Sequence, residues 1–316
     1  DLSSGKARVQ SEVVAQAIGP RGMLFLVADG MGGAAAGELA SAMASDLIFG
    51  HLAGTWSKEP AEEASDERFI LRLREAVDLA NLQIHAYAKD HAEVRGMGTT
   101  ATVGGVIGEK LFLAQVGDSR AYLVRQGKAV QITKDQSLTQ RLVDAGELTE
   151  EEAEASTRRN IILQALGPDP RIRVEITHQG LARGDVLVLC SDGLSGLVKR
   201  EEISEAVTGS ADLGAAASTL IDLANQRGGP DNITVVLVRF DGGELPAPEE
   251  QTEPAYLVYS SDEHPVDLAE MPARPFPVPP PDPPAPPARR TGSPAGMALL
   301  VIGALLVLLA AFLAFG

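Results

Sequence analysis

Cysteine, basic charge and paired histidines are scarce in this sequence, and each scarcity excludes something. A single cysteine in 316 residues, Cys190, rules out an intramolecular disulfide and suits a reducing compartment. It ends the run Val-Leu-Val-Leu-Cys with no histidine beside it, and so reads as a core thiol rather than a nucleophile. The five histidines, His51, His85, His91, His178 and His264, show no paired ligand spacing. Lysine and arginine number 27 against 43 acidic residues, for a net charge of -16. Nucleic-acid binding rests on neutralising phosphates with basic side chains, and no basic stripe, zinc-finger spacing or recognition-helix pattern occurs, so no nucleic-acid partner is expected. There is no Walker A pattern, and a dinucleotide fingerprint starting at Gly30 fails because Ala35 stands at its last glycine. No internal period marks a repeat architecture.

Acidic residues at strand ends, by contrast, are plentiful. Asp29 follows the apolar run Met23–Ala28, Asp192 follows Val186–Cys190, and Asp231 precedes Ile233–Phe240. Carboxylates gathered at strand ends repel one another unless a cation lies among them. All-oxygen donor sets suit magnesium or manganese rather than zinc. A metal-dependent hydrolase is the chemistry this implies.

Residues 1–241 alternate strand-like and helical patterns and read as one globular unit. Strands are expected over Met23–Ala28, Ala101–Ile107, Lys110–Val116, Ala121–Arg125, Ala129–Ile132, Arg173–Gln179, Asp185–Cys190 and Asn232–Phe240. The short turns Gly108-Glu109 and Gln126-Gly127 favour antiparallel hairpins. Helical spacing covers Glu38–Ala53, Ser65–Ala88 and Ala211–Gln226, with shorter helices over Ser137–Ala145 and Thr149–Ala155, the last capped by Thr149. Hairpins with segregated helices give an α+β class: two packed antiparallel sheets flanked by helices.

Beyond 241 the chain is acidic and irregular, then dense in proline from Met271 to Pro294, a linker over 242–294. The run Met297–Phe315 is uncharged and apolar, near the roughly 20 residues a membrane-spanning helix needs. Arg289 and Arg290 precede it and nothing basic follows, so 295–316 is expected to span the cell inner membrane once, with the large N-terminal part in the cytoplasm. The chain opens on Asp1 with no signal peptide there, so the native N-terminus is expected to be trimmed or missing.

Ordered motifs then narrow the chemistry. They are Val27-Ala28-Asp29-Gly30-Met31-Gly32-Gly33, Gly98-Thr99-Thr100-Ala101 and Val116-Gly117-Asp118-Ser119-Arg120, followed by Thr133-Lys134-Asp135 and Gln164-Ala165-Leu166-Gly167. Cys190-Ser191-Asp192-Gly193-Leu194 and Gly229-Pro230-Asp231-Asn232-Ile233-Thr234 complete the series. From about Gly5 to Phe240 the chain resembles the metal-dependent protein Ser/Thr phosphatase family (PPM type) in its bacterial form.

That resemblance implies a β-sandwich with a metal centre at one end, holding two Mn2+ or Mg2+ ions and a third, weaker one. Asp29 and the Gly30 carbonyl would be ligands of the pair, together with Asp192 and Asp231, and a water activated there would attack phosphorus. Asp118 would serve the third ion with Asp192; alternatively it is a hairpin acid paired with Arg120. Arg8 would grip the substrate phosphate through bidentate contacts. The family's G-x-x-R-x-x-N-E-D appears here as Gly5-Lys6-Ala7-Arg8-Val9-Gln10-Ser11-Glu12-Val13. Glu12 could still orient water at the centre from the second shell, whereas Val13 accepts no hydrogen bond. The family's D-H-S becomes Asp135-Gln136-Ser137, and Ser137 to Asn160 covers the stretch that forms a flap in bacterial relatives.

The implied function is hydrolysis of phosphoserine and phosphothreonine on proteins. The implied partners are a Ser/Thr kinase and its phosphorylated substrates. The alternative, motivated by Ser11 and Val13, is a pseudophosphatase acting as a membrane-tethered phosphoprotein-binding module.

Overall fold

The computed structural model describes residues 19–259. Arg8, Ser11, Glu12, Val13, the proline-rich stretch and the run Met297–Phe315 lie outside them. Among the described residues, no helix is long and apolar enough to cross a membrane.

In chain order the elements are β1 (Met23–Val27), β2 (Gly30–Met31), α1 (Ala34–Gly54), α2 (Asp66–Asp90), β3 (Gly98–Thr99), β4 (Ala101–Ile107), β5 (Lys110–Val116), β6 (Arg120–Arg125) and β7 (Lys128–Gln131). There follow α3 (Leu138–Asp144), α4 (Glu150–Ala155), β8 (Glu175–Gly180), β9 (Val186–Cys190), α5 (Asp192–Ser195), α6 (Arg200–Gly209), α7 (Leu213–Gln226) and β10 (Val235–Arg239). One sheet has the order β1-β4-β5-β8 and the other β10-β9-β6-β7, and β2 and β3 form a two-residue ribbon. All these pairings are antiparallel.

Strand periodicity explains the layers. Successive side chains of a strand point to opposite faces. In β9, Leu187 and Leu189 join Val27, Val106, Leu111, Leu113 and Leu123 between the two sheets. Val186, Val188 and Cys190 point the other way, onto Leu194, Ile203, Leu220 and Ala224 of α5, α6 and α7. Each such aliphatic side chain, fully buried, stabilises the fold by about 1.5–3 kcal/mol relative to exposure. The Cys190 thiol therefore lies in the core, and burial pushes its pKa up to about 12, as an inert thiol requires.

Helix α2 covers the outer face of the first sheet. Ser65 caps it by accepting the Arg68 amide at 3.2 Å, and Asp66 and Glu67 favour its positive N-terminal end. Its buried stripe runs Phe69, Ile70, Leu73, Ala76, Val77, Ala80, Ile84 at helical spacing. Phe69 sits directly on Gly105 of β4, where a Cβ would come within 2.3 Å of the ring. Close sheet–helix packing demands glycine at that point.

The expected hairpins are present: β4–β5 turns at Gly108 (φ 54°) and β6–β7 at Gln126 (φ 50°) and Gly127 (φ 74°). Three features differ from expectation. Helix α1 starts at Ala34, four residues early, because Gly33 stops the extended chain there. Helix α6 has no counterpart among the expected elements, since Ile203 and Ala206 alone are too few apolar positions to show a period. The chain also does not leave the sheets at 241. His178 N donates to Leu257 O (3.1 Å) and Tyr259 N to Ile176 O (2.8 Å), adding residues 257–259 to the open edge of β8. Tyr259 packs edge-on against Phe112 and His178.

Candidate active site

All strand ends that carry the motif acids open at one end of the sandwich. Asp29 follows β1 of the first sheet, Asp192 follows β9 and Asp231 precedes β10 of the second, and Asp118 sits on the crossing from β5 to β6. Residues about 200 apart in sequence are thus neighbours.

Two threonines hold the backbone of Asp29. Its amide donates to Thr100 Oγ1 (2.9 Å), and its carbonyl accepts Thr99 Oγ1 (2.9 Å) and the Thr100 amide (2.9 Å). Thr100 Oγ1 in turn pairs with Ser119 Oγ at 2.8 Å, beside Asp118. In the second sheet, Ser191 Oγ donates to Asn232 O (3.2 Å) and accepts the Thr234 amide (3.0 Å), which ties the Asp192 turn to the Asp231 loop. Backbone and hydroxyl contacts absorb the neighbouring polar groups, and the carboxylates are left facing one another.

Their electrostatics record this crowding. The Asp29 carboxyl is pushed up to about 7, first by burial, then by the charge and hydrogen-bond contact of Asp192, then by Asp231 and Asp118. Asp118 is also raised to about 7, again first by burial, then by Asp192 and Asp135. Asp192 Oδ1 is buried without a hydrogen-bond partner. Among the described residues no three such side chains converge tightly enough to enclose an ion as they stand. An orphaned carboxylate oxygen, two acids resisting ionisation and an all-oxygen donor set fit a hard divalent cation.

Arg120 does not pair with Asp118. Its guanidinium grips Asp135 instead, with Nε at 3.0 Å from both carboxylate oxygens and Nη2 at 2.8 Å from Oδ2. This leaves the buried Asp118 turned toward the acid cluster.

The structure also brings in residues that the motifs did not single out. Gly37 of α1 lies against Gly30, where a Cβ would come within 2.7 Å of the Gly30 oxygen. Asn81, buried in the apolar stripe of α2, accepts the Gly167 amide (2.7 Å) and donates to Asp169 O (3.0 Å). That loop in turn pairs Leu166 with Thr99. A polar residue at a core position of a helix was the one available signal.

Residues 13–226 match the protein phosphatase 2C family. The chain belongs to that family. It is a phosphatase, and its relatives agree. It is 38% identical over 218 residues to the serine/threonine phosphatase stp of Listeria monocytogenes, covering 69% of this chain and 84% of that one. To the protein phosphatase PstP of Mycobacterium tuberculosis it is 40% identical over 224 residues, covering 70% of this phosphatase but 41% of the longer relative. The crystal structure of PstP superposes with a TM-score of 0.62 at 40% identity, covering 69% of this chain and 88% of that one. The PstP catalytic domain in complex with two manganese ions superposes at 0.59 and 39% identity, with the same coverage.

Proposed function

We propose that this phosphatase removes phosphate from phosphoserine and phosphothreonine side chains of proteins at a centre of two Mn2+ or Mg2+ ions. The meeting of Asp29 with Asp192, Asp231 and Asp118 carries this reading, since four acids crowd where a bound divalent cation relieves the repulsion. Asp29, the Gly30 carbonyl, Asp192 and Asp231 hold the pair, and Asp118 with Asp192 takes a weaker third ion. When bound, such ions supply Lewis acidity, lowering the pKa of water toward neutrality and offsetting charge on phosphoryl oxygens. Manganese bound to the homologous PstP domain supports the metal class.

The chain's own groups do the rest. Thr99 and Thr100 fix the Asp29 backbone, and its carboxyl lies among those of Asp192, Asp231 and Asp118. Arg8 binds the phosphate by its fork of donors, and Glu12 orients water by accepting its hydrogen bond. The partners are a Ser/Thr kinase and the proteins it phosphorylates. A linker over 242–294, its first part lying along β8, leads to a single inner-membrane span at 295–316 that keeps the catalytic domain cytoplasmic. The apolar run after Arg289 and Arg290 supports this placement.

The test is phosphate release from a phosphothreonine peptide by the full chain with manganese. Turnover should stop with chelator and fall at least ~100-fold in Asp192→Asn, which removes a ligand charge. No release with either metal would overturn the reading. The binding-module alternative rests on Val13 and Ser11; a large gain of activity in Val13→Asp would show that valine cripples the centre.

A further inference from the structure

Gln136 stands where the resemblance expects histidine, and its amide occupies a junction. Its Oε1 accepts the Gly117 amide (3.0 Å) and Gln164 Nε2 (3.1 Å), while its Nε2 donates to Gln115 O (3.3 Å). Its backbone joins the same two segments: Gln136 N donates to Gly117 O (2.9 Å), and Gln136 O accepts the Leu163 amide (2.8 Å).

Gly117 and Leu163 belong to different parts of the molecule. Gly117 immediately precedes Asp118, adopts a φ of 102°, and rests on the side chain of Thr100, where a Cβ would come within 2.7 Å. Thr100 is the acceptor of the Asp29 amide. Leu163 lies on the leg returning from the helical stretch 138–162. That leg is fastened to the base of α3 by Leu138 N to Ile161 O (2.9 Å), and to Thr99 by the Leu166 pairing. One half-buried side chain therefore touches both the return leg and the corner bearing Asp118.

We propose that Gln136 is a positioning residue that couples the helical stretch 138–162 to the Asp118 corner, and through Thr100 to Asp29. The inference rests on the phosphatase reading for its kinetic consequence, though not for the coupling. An amide suits the task because it donates and accepts at once and carries no titrating charge beside the acids. Displacing the return leg moves the acceptor of the Gly117 amide, and with it the Asp118 carboxylate.

The experiment compares wild type, Gln136→Ala, Gln164→Ala and the double variant in the full chain. Backbone amide exchange is followed without metal, and hydrolysis of para-nitrophenyl phosphate with manganese. In Gln136→Ala, exchange at Gly117, whose amide loses its side-chain acceptor, should accelerate about fivefold, as expected for loss of one net hydrogen bond, and exchange at Leu163, whose acceptor is the retained Gln136 backbone oxygen, should rise with it through the coupling. The kcat should fall roughly tenfold, the lower end for residues supporting a metal site, with KM within about twofold. The double variant should be no slower than Gln136→Ala.

Unchanged exchange at Gly117, or losses in the single variants that multiply in the double, would overturn the coupling. Should Gln136→Ala fail to fold, Gln164→Ala reads the same junction from its other side. Absence of wild-type turnover would sink the phosphatase reading alone, because the exchange comparison needs no catalysis.

Discussion

Arg125 and Asp185 form a two-pronged ion pair inside the protein, 2.8 Å from Nε to Oδ1 and 2.6 Å from Nη2 to Oδ2, with side chains 5% and 0% exposed. No polar atom of the pair is wasted. Arg125 also donates to Gly180 O (2.8 Å) and Thr252 O (2.5 Å), and Asp185 Oδ2 accepts the Ala182 amide (2.8 Å). Removing one partner strands the other's charge in the core. Asp185→Ala should lower unfolding stability by about 3–5 kcal/mol in urea titration. A loss below ~1 kcal/mol would mean that water reaches the guanidinium.

The Thr252 contact links that pair to the segment lying on β8. Truncation after Asp241 removes it, together with the 257–259 ladder and the Tyr259 ring contacts. The shortened protein should melt at least ~4 °C below one ending at Tyr259, since about 1 kcal/mol corresponds to 2–4 °C at this size. Equal melting temperatures would show that the segment adds nothing to the fold.

Asp29 and Asp118 titrate near 7 in the metal-free fold, against an ordinary 3.8. Between those values the native state holds protons that the unfolded chain has released, so stability falls as pH rises from about 4 to about 7 and then levels off. Tm in chelator should drop from pH 5 to pH 8, and drop less in Asp29→Asn. Manganese should raise Tm more at pH 8 than at pH 5, because cations and protons compete for the same oxygens. Identical slopes for wild type and Asp29→Asn would refute the assignment.

Gly37→Ala places a methyl 2.7 Å from the Gly30 carbonyl oxygen, inside van der Waals contact. That carbonyl is a proposed ligand, and its displacement should reduce manganese affinity about 10–100-fold by calorimetry. Alanine otherwise suits a helix interior, so an unchanged affinity would remove Gly30 from the ligand set.

Much of the layering is legible in the sequence alone. The apolar run Val186–Cys190 and the turn residues at Gly108-Glu109 and Gln126-Gly127 act locally, and the strand and both hairpins form where expected. Helix α6 was not legible, because its short apolar face carries too little period. Nor were the roles of Gly37 and Asn81, since a glycine or asparagine inside a helical pattern does not name the distant backbone it meets.

The sequence by itself determined which segments extend, which coil and which acids stand at strand ends, because propensity, periodicity and turn chemistry act over a few residues. Only the tertiary structure decided that Arg120 takes Asp135 and leaves Asp118 among the other carboxylates. It also decided that Thr99 and Thr100 clasp Asp29, and that 257–259 closes the β8 edge. Those outcomes depend on how two sheets stack, a choice made by buried contacts between residues dozens to hundreds of positions apart.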